Sequence, residues 1–261
     1  MPRSSTPRAV KPKHARAFTQ KLLAWYARAA RDLPWRRTRD PYRVLVSEFM
    51  LQQTQVSRVA AYYPRFLERF PDLETLARAP VRAVREAWDG LGYYARARNL
   101  HAVARTVAES PSGTLPRTPE ELVLLPGIGP YTAGAVATFA YEQPVPAVDT
   151  NVARVLRRVF VGEPEAVRSG RSNGRRERGA RRPARPHPPS RLLPRLWALA
   201  RALVPRDGKR AWRFNQALME LGAVVCVART PKCPHCPVLG VCRTGRRARL
   251  ARSSSGLYHR S

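Results

Sequence analysis

The stretch Leu125-Pro126-Gly127-Ile128-Gly129-Pro130-Tyr131-Thr132-Ala133-Gly134 joins two segments with helical patterning. Pro126 helps to end the first helix, and Gly127 and Gly129 permit a tight turn with unusual φ. The second helix then opens with backbone N–H groups that lack an intrahelical acceptor. Together with the helix dipole, those groups suit one phosphate. The pattern is a helix–hairpin–helix. An ordinary helical connection with convenient glycines is the plain alternative. The length of the string, in so basic a chain, weighs against that alternative.

Outward from the hairpin, the chain reads as all-α. Thr118-Pro119-Glu120-Glu121 is a capping box with Pro at the first helical position. Asp40-Pro41 is a second helix start, and a helix is expected to run on through Ser47 to Val56. Residues 18–31 have helical apolar spacing and end at Leu33-Pro34-Trp35. Further helical segments are expected between breaks at Pro64, Pro71 and Pro80. Helical order is also expected at Leu192–Val204 and at Trp212–Val225. Period-two alternation is scarce, so strands are not expected.

Charge narrows the partners. Lys and Arg number 48 against 18 Asp and Glu, a net +30 in 261 residues. Such a surface concentrates polyanions, nucleic acid first and an anionic membrane second. No apolar run is long enough to span a bilayer, and no amphipathic anchor supports the membrane reading. Met1 to Arg16 is basic and lacks the apolar core of a secretory signal; it reads as a disordered arm. A transit peptide is the alternative if the source is eukaryotic, and a cytoplasmic, nucleoid-associated setting is expected if it is bacterial. Residues 162–190 are rich in Arg, Pro, Gly and Ser and cannot form a core. They read either as a disordered basic insert or as the product of a shifted reading frame.

All four cysteines lie between Cys226 and Cys242, spaced C-x6-C-x2-C-x5-C over Cys226, Cys233, Cys236 and Cys242. Four thiolates at such spacing hold either zinc or a [4Fe–4S] cluster, and spacing alone leaves both open. Two carboxylates stand out. Glu48 lies in an apolar helix, where burial would raise its pKa, although a lone helical glutamate more often faces solvent. Asp149 precedes Thr150-Asn151 and an apolar helix, which also makes it a plain N-cap.

Several strings together resemble the helix–hairpin–helix base-excision DNA glycosylases, and among them the MutY-type adenine glycosylases. They are LPWR (33–36), DPYRVLVSEFMLQQTQVSRV (40–59), GLGYYARARNLH (90–101), LPGIGPYTAGAV (125–136), VDTNVARVL (148–156), FNQALMELGAVVC (214–226) and PKCPHCPVLGVC (231–242). The resemblance implies a two-lobed helical fold with a DNA cleft between the lobes. A six-helix barrel domain with the hairpin would span 34–144. A [4Fe–4S] domain would span 145–243, with residues 17–33 packing on it as an N-terminal helix. Residues 244–261 would be a disordered tail. Full-length relatives carry a further Nudix-like domain that reads 8-oxoguanine. No such segment is evident after Cys242, which puts discrimination of 8-oxoguanine from guanine in doubt.

Hydrolysing the bond between adenine and its sugar needs an acid for the leaving base and a carboxylate for the cationic sugar, with the base flipped out of the stack. The resemblance assigns Glu48 as the acid and Asp149 as the carboxylate, with Asn151 positioning the water or the Asp149 side chain. Bifunctional relatives carry a nucleophilic lysine where Tyr131 stands, so a monofunctional enzyme is implied. Trp35, Arg36, Leu51 and Val56 would line the adenine pocket, though Trp35 and Leu51 taken alone read more readily as plain core. Gln52, Gln53 and Tyr93 would contact DNA, with Gln53 and Tyr93 entering the duplex beside the opposing base. Gly127 and Gly129, and Arg229 and Lys232 on the first cysteine loop, would meet phosphates. The lead-in FNQALMELGAVVC favours the iron–sulfur cluster over zinc, with His235 a bystander. The implied partner is double-stranded DNA with a mispaired adenine, bound by a monomer. A bifunctional endonuclease-type glycosylase and a non-catalytic DNA-binding relative are the alternatives.

Overall fold

The computed structural model describes residues 11–162 and 192–246. Residues 1–10 of the expected arm, nearly all of the Arg/Pro-rich stretch and the tail from 247 lie outside them. The described residues are helical, and no strand occurs among them. None of the described helices is long and apolar enough to cross a membrane.

The helices are α1 (Pro12–Ala29), α2 (Pro41–Leu51), α3 (Val56–Arg69), α4 (Leu73–Arg78), α5 (Val81–Ala87) and α6 (Ala95–Ala108). They continue with α7 (Pro119–Leu122), α8 (Pro130–Tyr141), α9 (Thr150–Leu156), α10 (Leu192–Leu203) and α11 (Gly208–Val224). A wider turn, Arg157–Val161, extends α9. Local chemistry sets most starts. Asp40 and Asp72 accept from the backbone N–H groups of Arg43 and Thr75. Thr118 and Glu121 close the expected capping box at α7.

The chain divides into two compact units. One holds residues 29–148 and 204–216; the other holds the described parts of 1–28, 149–203 and 217–261. Residues 204–216, expected with the cysteine segment, group with 29–148. In the first unit α2 and α8 pack together. Both are buried over almost their whole length. Ala133, Gly134, Ala135 and Ala137 keep α8 narrow. A Cβ on Gly134 would sit 2.3 Å from the Pro146 carbonyl oxygen. Gly134→Ala should therefore cost about 1–3 kcal/mol by overpacking, read by thermal or denaturant unfolding.

Three expectations are corrected. α1 begins at Pro12, inside the segment read as a disordered arm. Its first turns are held because His14 stacks on Phe160 and its Nε2 pairs with the Val241 carbonyl at 2.7 Å. The helix expected to reach Val56 stops at Leu51, and a turn at 52–55 separates α2 from α3. Pro64 does not end a helix but lies inside α3. It is exposed there.

Candidate active site and cysteine centre

In the first unit, Glu48 lies on the last turns of α2 and is only 4% exposed. Its neighbours Val46, Phe49 and Met50 are fully buried, so the apolar pattern carries the carboxyl into the core. Tyr131, on the first turn of α8, donates its hydroxyl to Glu48 Oε2 at 2.8 Å. The packing of α2 on α8 thus joins two residues 83 positions apart.

Tyr131 follows the hairpin directly. Gly127 has φ +72°, which the turn requires. A Cβ there would also lie 2.3 Å from the Asn99 side chain. Gly129 differs from expectation: its φ is −89°, and its place is the N-cap of α8. No side chain caps that helix start, and the amides of a helix start suit an anion.

Of the expected pocket residues, Trp35 is buried and meets Tyr63 edge to face at 5.7 Å. Arg36 donates to Gln216 Oε1 at 2.8 Å and to the Arg31 carbonyl at 3.0 Å. Leu51 and Val56 are half-buried and flank the turn that ends α2. Within that turn Gln52 is half-buried and Gln53 is exposed. Gln53 and Tyr93 both have positive φ, 56° and 49°. Among the described residues only Glu142 shares that trait without being glycine. Such backbone costs on the order of 1–3 kcal/mol and tends to gather at functional sites.

In the second unit, Asp149 caps α9. Its Oδ1 accepts from the Val152 N–H at 2.6 Å, and its Oδ2 accepts from Asn151 Nδ2 at 2.8 Å. Asn151 Oδ1 in turn accepts from Arg154 Nη2 at 2.8 Å. Arg154 also donates to the carbonyls of Cys226 (2.9 Å) and Gly222 (2.8 Å). The N-cap and the expected polar role of Asp149 are therefore compatible: its carboxylate oxygens are fixed by groups around it.

The four cysteines are half-buried, and none forms a disulfide. N–H donors point at the sulfurs of Cys226 and Cys242. The Gly245 N–H reaches Cys242 Sγ at 3.3 Å, and buried Arg158 reaches Cys226 Sγ at 3.6 Å. Burial pushes the Cys236 thiol up to about 12; the Val238 N–H opposes this, while the other three sulfurs add to it. Sulfur-only donors with N–H groups aimed at them fit a thiolate-bound centre. Among the described residues, however, no group of three or more His, Cys, Asp or Glu is arranged to hold a metal ion. His235, Arg229 and Lys232 are exposed.

Residues 46–171 match the family described as HhH-GPD superfamily base excision DNA repair protein. The chain is 45% identical over 249 residues to an adenine DNA glycosylase of Mus musculus, covering 92% of this chain and 44% of that one. It is 44% identical over 223 residues to an adenine DNA glycosylase of Mycolicibacterium smegmatis, covering 85% of this chain and 67% of that one. This chain belongs to the adenine DNA glycosylase family of HhH-GPD repair proteins. A thermostable thymine-DNA glycosylase structure shares the family's fold, with a TM-score of 0.73 and 30% identity over 90% of this chain and 98% of that one. The chain spans less than half the length of the mouse relative.

Sequence reasoning passed over three arginines of this glycosylase-family chain. Arg96, Arg154 and Arg158 each gather several backbone carbonyls. A signal existed for Arg96. It stands in helical register with Leu100, Val103 and Val107, so the pattern points its guanidinium inward.

Proposed function

We propose that this chain hydrolyses the N-glycosidic bond of adenine mispaired in DNA, as a monofunctional glycosylase of base excision repair. The observation that carries the reading is the buried Glu48 carboxyl held by the Tyr131 hydroxyl at the start of the hairpin helix. A buried acid suits protonation of a leaving base. Asp149, fixed by the α9 amides and Asn151, supplies the carboxylate that stabilises the cationic sugar. A phenol engaged with Glu48, in place of an amine, offers no Schiff-base nucleophile. The open amides of α8 take one phosphate of the strand, and Arg229 and Lys232 add further phosphate contacts. Gln53 and Tyr93 enter the duplex beside the opposing base.

Cys226, Cys233, Cys236 and Cys242 would hold a [4Fe–4S] cluster, which ties the cysteine loop together. The support is the sulfur-only donor set with its N–H donors and the family lead-in FNQALMELGAVVC. Cys236→Ser is expected to lower iron and acid-labile sulfide from about four of each per chain and to destabilise the fold. Stoichiometric zinc in the wild-type protein would contradict the cluster.

The deciding assay measures free adenine released from duplexes with adenine opposite 8-oxoguanine, guanine or thymine. Release from the first two and not the third supports the reading. A folded, cluster-bearing protein inert on all of them refutes it. Borohydride trapping of a covalent DNA adduct would revive the lyase alternative.

A further inference from the structure

Arg96, at the start of α6, makes six side-chain hydrogen bonds. It is 6% exposed. Its Nη1 donates to the carbonyls of Phe49 (3.1 Å), Met50 (2.8 Å) and Gln52, and to Thr54 Oγ1 (3.0 Å). Its Nη2 donates to the carbonyls of Leu91 (3.0 Å) and Gly92 (2.9 Å). The first set belongs to the end of α2 and the turn after it; the second belongs to the loop between α5 and α6. The guanidinium also lies over the rings of Trp88 (5.5 Å) and Tyr93 (5.4 Å). One planar fork therefore binds two separate turns at once.

Each turn contains an exposed residue with left-handed backbone. Gln53 follows the Gln52 carbonyl that Arg96 holds, and Tyr93 follows the Gly92 carbonyl that it holds. Neither conformation is favoured by glutamine or tyrosine. Each persists because the neighbouring carbonyl is anchored. Tyr93 is 61% exposed, so its ring packs no core that would explain the strain. The loop is pinned from its other side too, by Arg58 Nη1 on the Gly90 carbonyl at 3.0 Å and by Trp88 Nε1 on the Gly92 carbonyl at 3.2 Å.

We propose that Arg96 is a positioning residue for recognition of the opposing base: it fixes Gln53 and Tyr93 against each other so that both enter the duplex as one preformed element. The inference rests on the reading of Gln53 and Tyr93 as duplex-entering residues. Preformed geometry spares the ordering of two loops on binding, so Arg96 acts on recognition of the mispair rather than on bond cleavage. A lysine cannot replace it, because one ammonium has three donors and no fork.

The test uses the whole chain and two duplexes, one with adenine opposite 8-oxoguanine and one fully matched. Arg96→Lys is expected to weaken mispair binding about tenfold relative to matched binding, while the single-turnover rate at saturating protein changes less than roughly threefold. In a Gln53→Ala/Tyr93→Ala background the same change should alter mispair binding by less than about twofold, because the groups it positions are gone. Losses that add fully in that background, or that fall equally on both duplexes, overturn the proposal and leave Arg96 a fold-stabilising residue. If Gln53→Ala/Tyr93→Ala itself binds the mispair as wild type does, the duplex-entry reading fails, and the proposal with it, whether or not adenine is released. Should Arg96→Lys not fold, Thr54→Val removes one acceptor and keeps the charge. It should then give the same selective loss in smaller measure, and no selective loss overturns the proposal.

Discussion

Glu48→Gln should abolish adenine release while leaving the protein folded and able to bind DNA. The amide keeps the volume and can still accept from the Tyr131 hydroxyl that now reaches Oε2 at 2.8 Å. What it lacks is a proton to give. General-acid catalysis is worth about 10²–10⁴ in rate, so the single-turnover rate should fall by that range or more. Because the residue is buried, stability must be measured beside rate. A variant with wild-type unfolding, wild-type affinity for an adenine mispair and no detectable product is the expected result. Retention of more than about a tenth of the rate would remove Glu48 from the acid role.

Asp149→Asn separates the capping duty seen in the structure from the charge proposed to face the sugar. As N-cap, Asp149 accepts from the Val152 N–H, and asparagine caps helices about as well as aspartate. Stability should therefore stay within about 1 kcal/mol of wild type. The negative charge, by contrast, is lost. Electrostatic stabilisation of a charged transition state by one group is worth about 10²–10³, and a loss of that size is expected in single-turnover rate at saturation. Asp149→Ala removes both duties. It should add about 0.5–2 kcal/mol of destabilisation to the same rate defect. A full rate in Asp149→Asn would leave Asp149 with its capping duty alone.

The parts of this fold legible in the sequence are those set by neighbours in the chain. The capping box at Thr118, the Asp40-Pro41 start and the turn at Gly127 each need only residues a few positions apart, and each stands where the pattern puts it. Glu48 and Tyr131 were both recognisable as chemistry, but their contact was not, since it depends on how α2 meets α8. The end of α2 is not legible in the sequence for a related reason. Nothing in Leu51-Gln52-Gln53-Thr54 forbids a helix; the turn is held by Arg96, whose partners lie 42–47 positions away along the chain. Pro64 is accommodated at an exposed position inside α3, so its ring does not end the helix as the pattern suggests. Gly129 was assigned unusual backbone that only Gly127 adopts.

The division of the chain bears on how it is made. Residues 29–148 form most of one unit in a single uninterrupted run, whereas the cysteine-bearing unit draws on segments from both before and after that run. His14 reaches Val241 across 227 positions. During synthesis, α1 is made before residues 29–148, and its partners Phe160 and Val241 come only after that run. Contacts so distant in sequence form slowly, and domains assemble as their chain is completed. The expected order is therefore the run 29–148 first, with α1 packing only later. The Asp149 and cysteine elements close afterwards, so that Glu48 and Asp149 reach their folded settings at different times in the life of one chain.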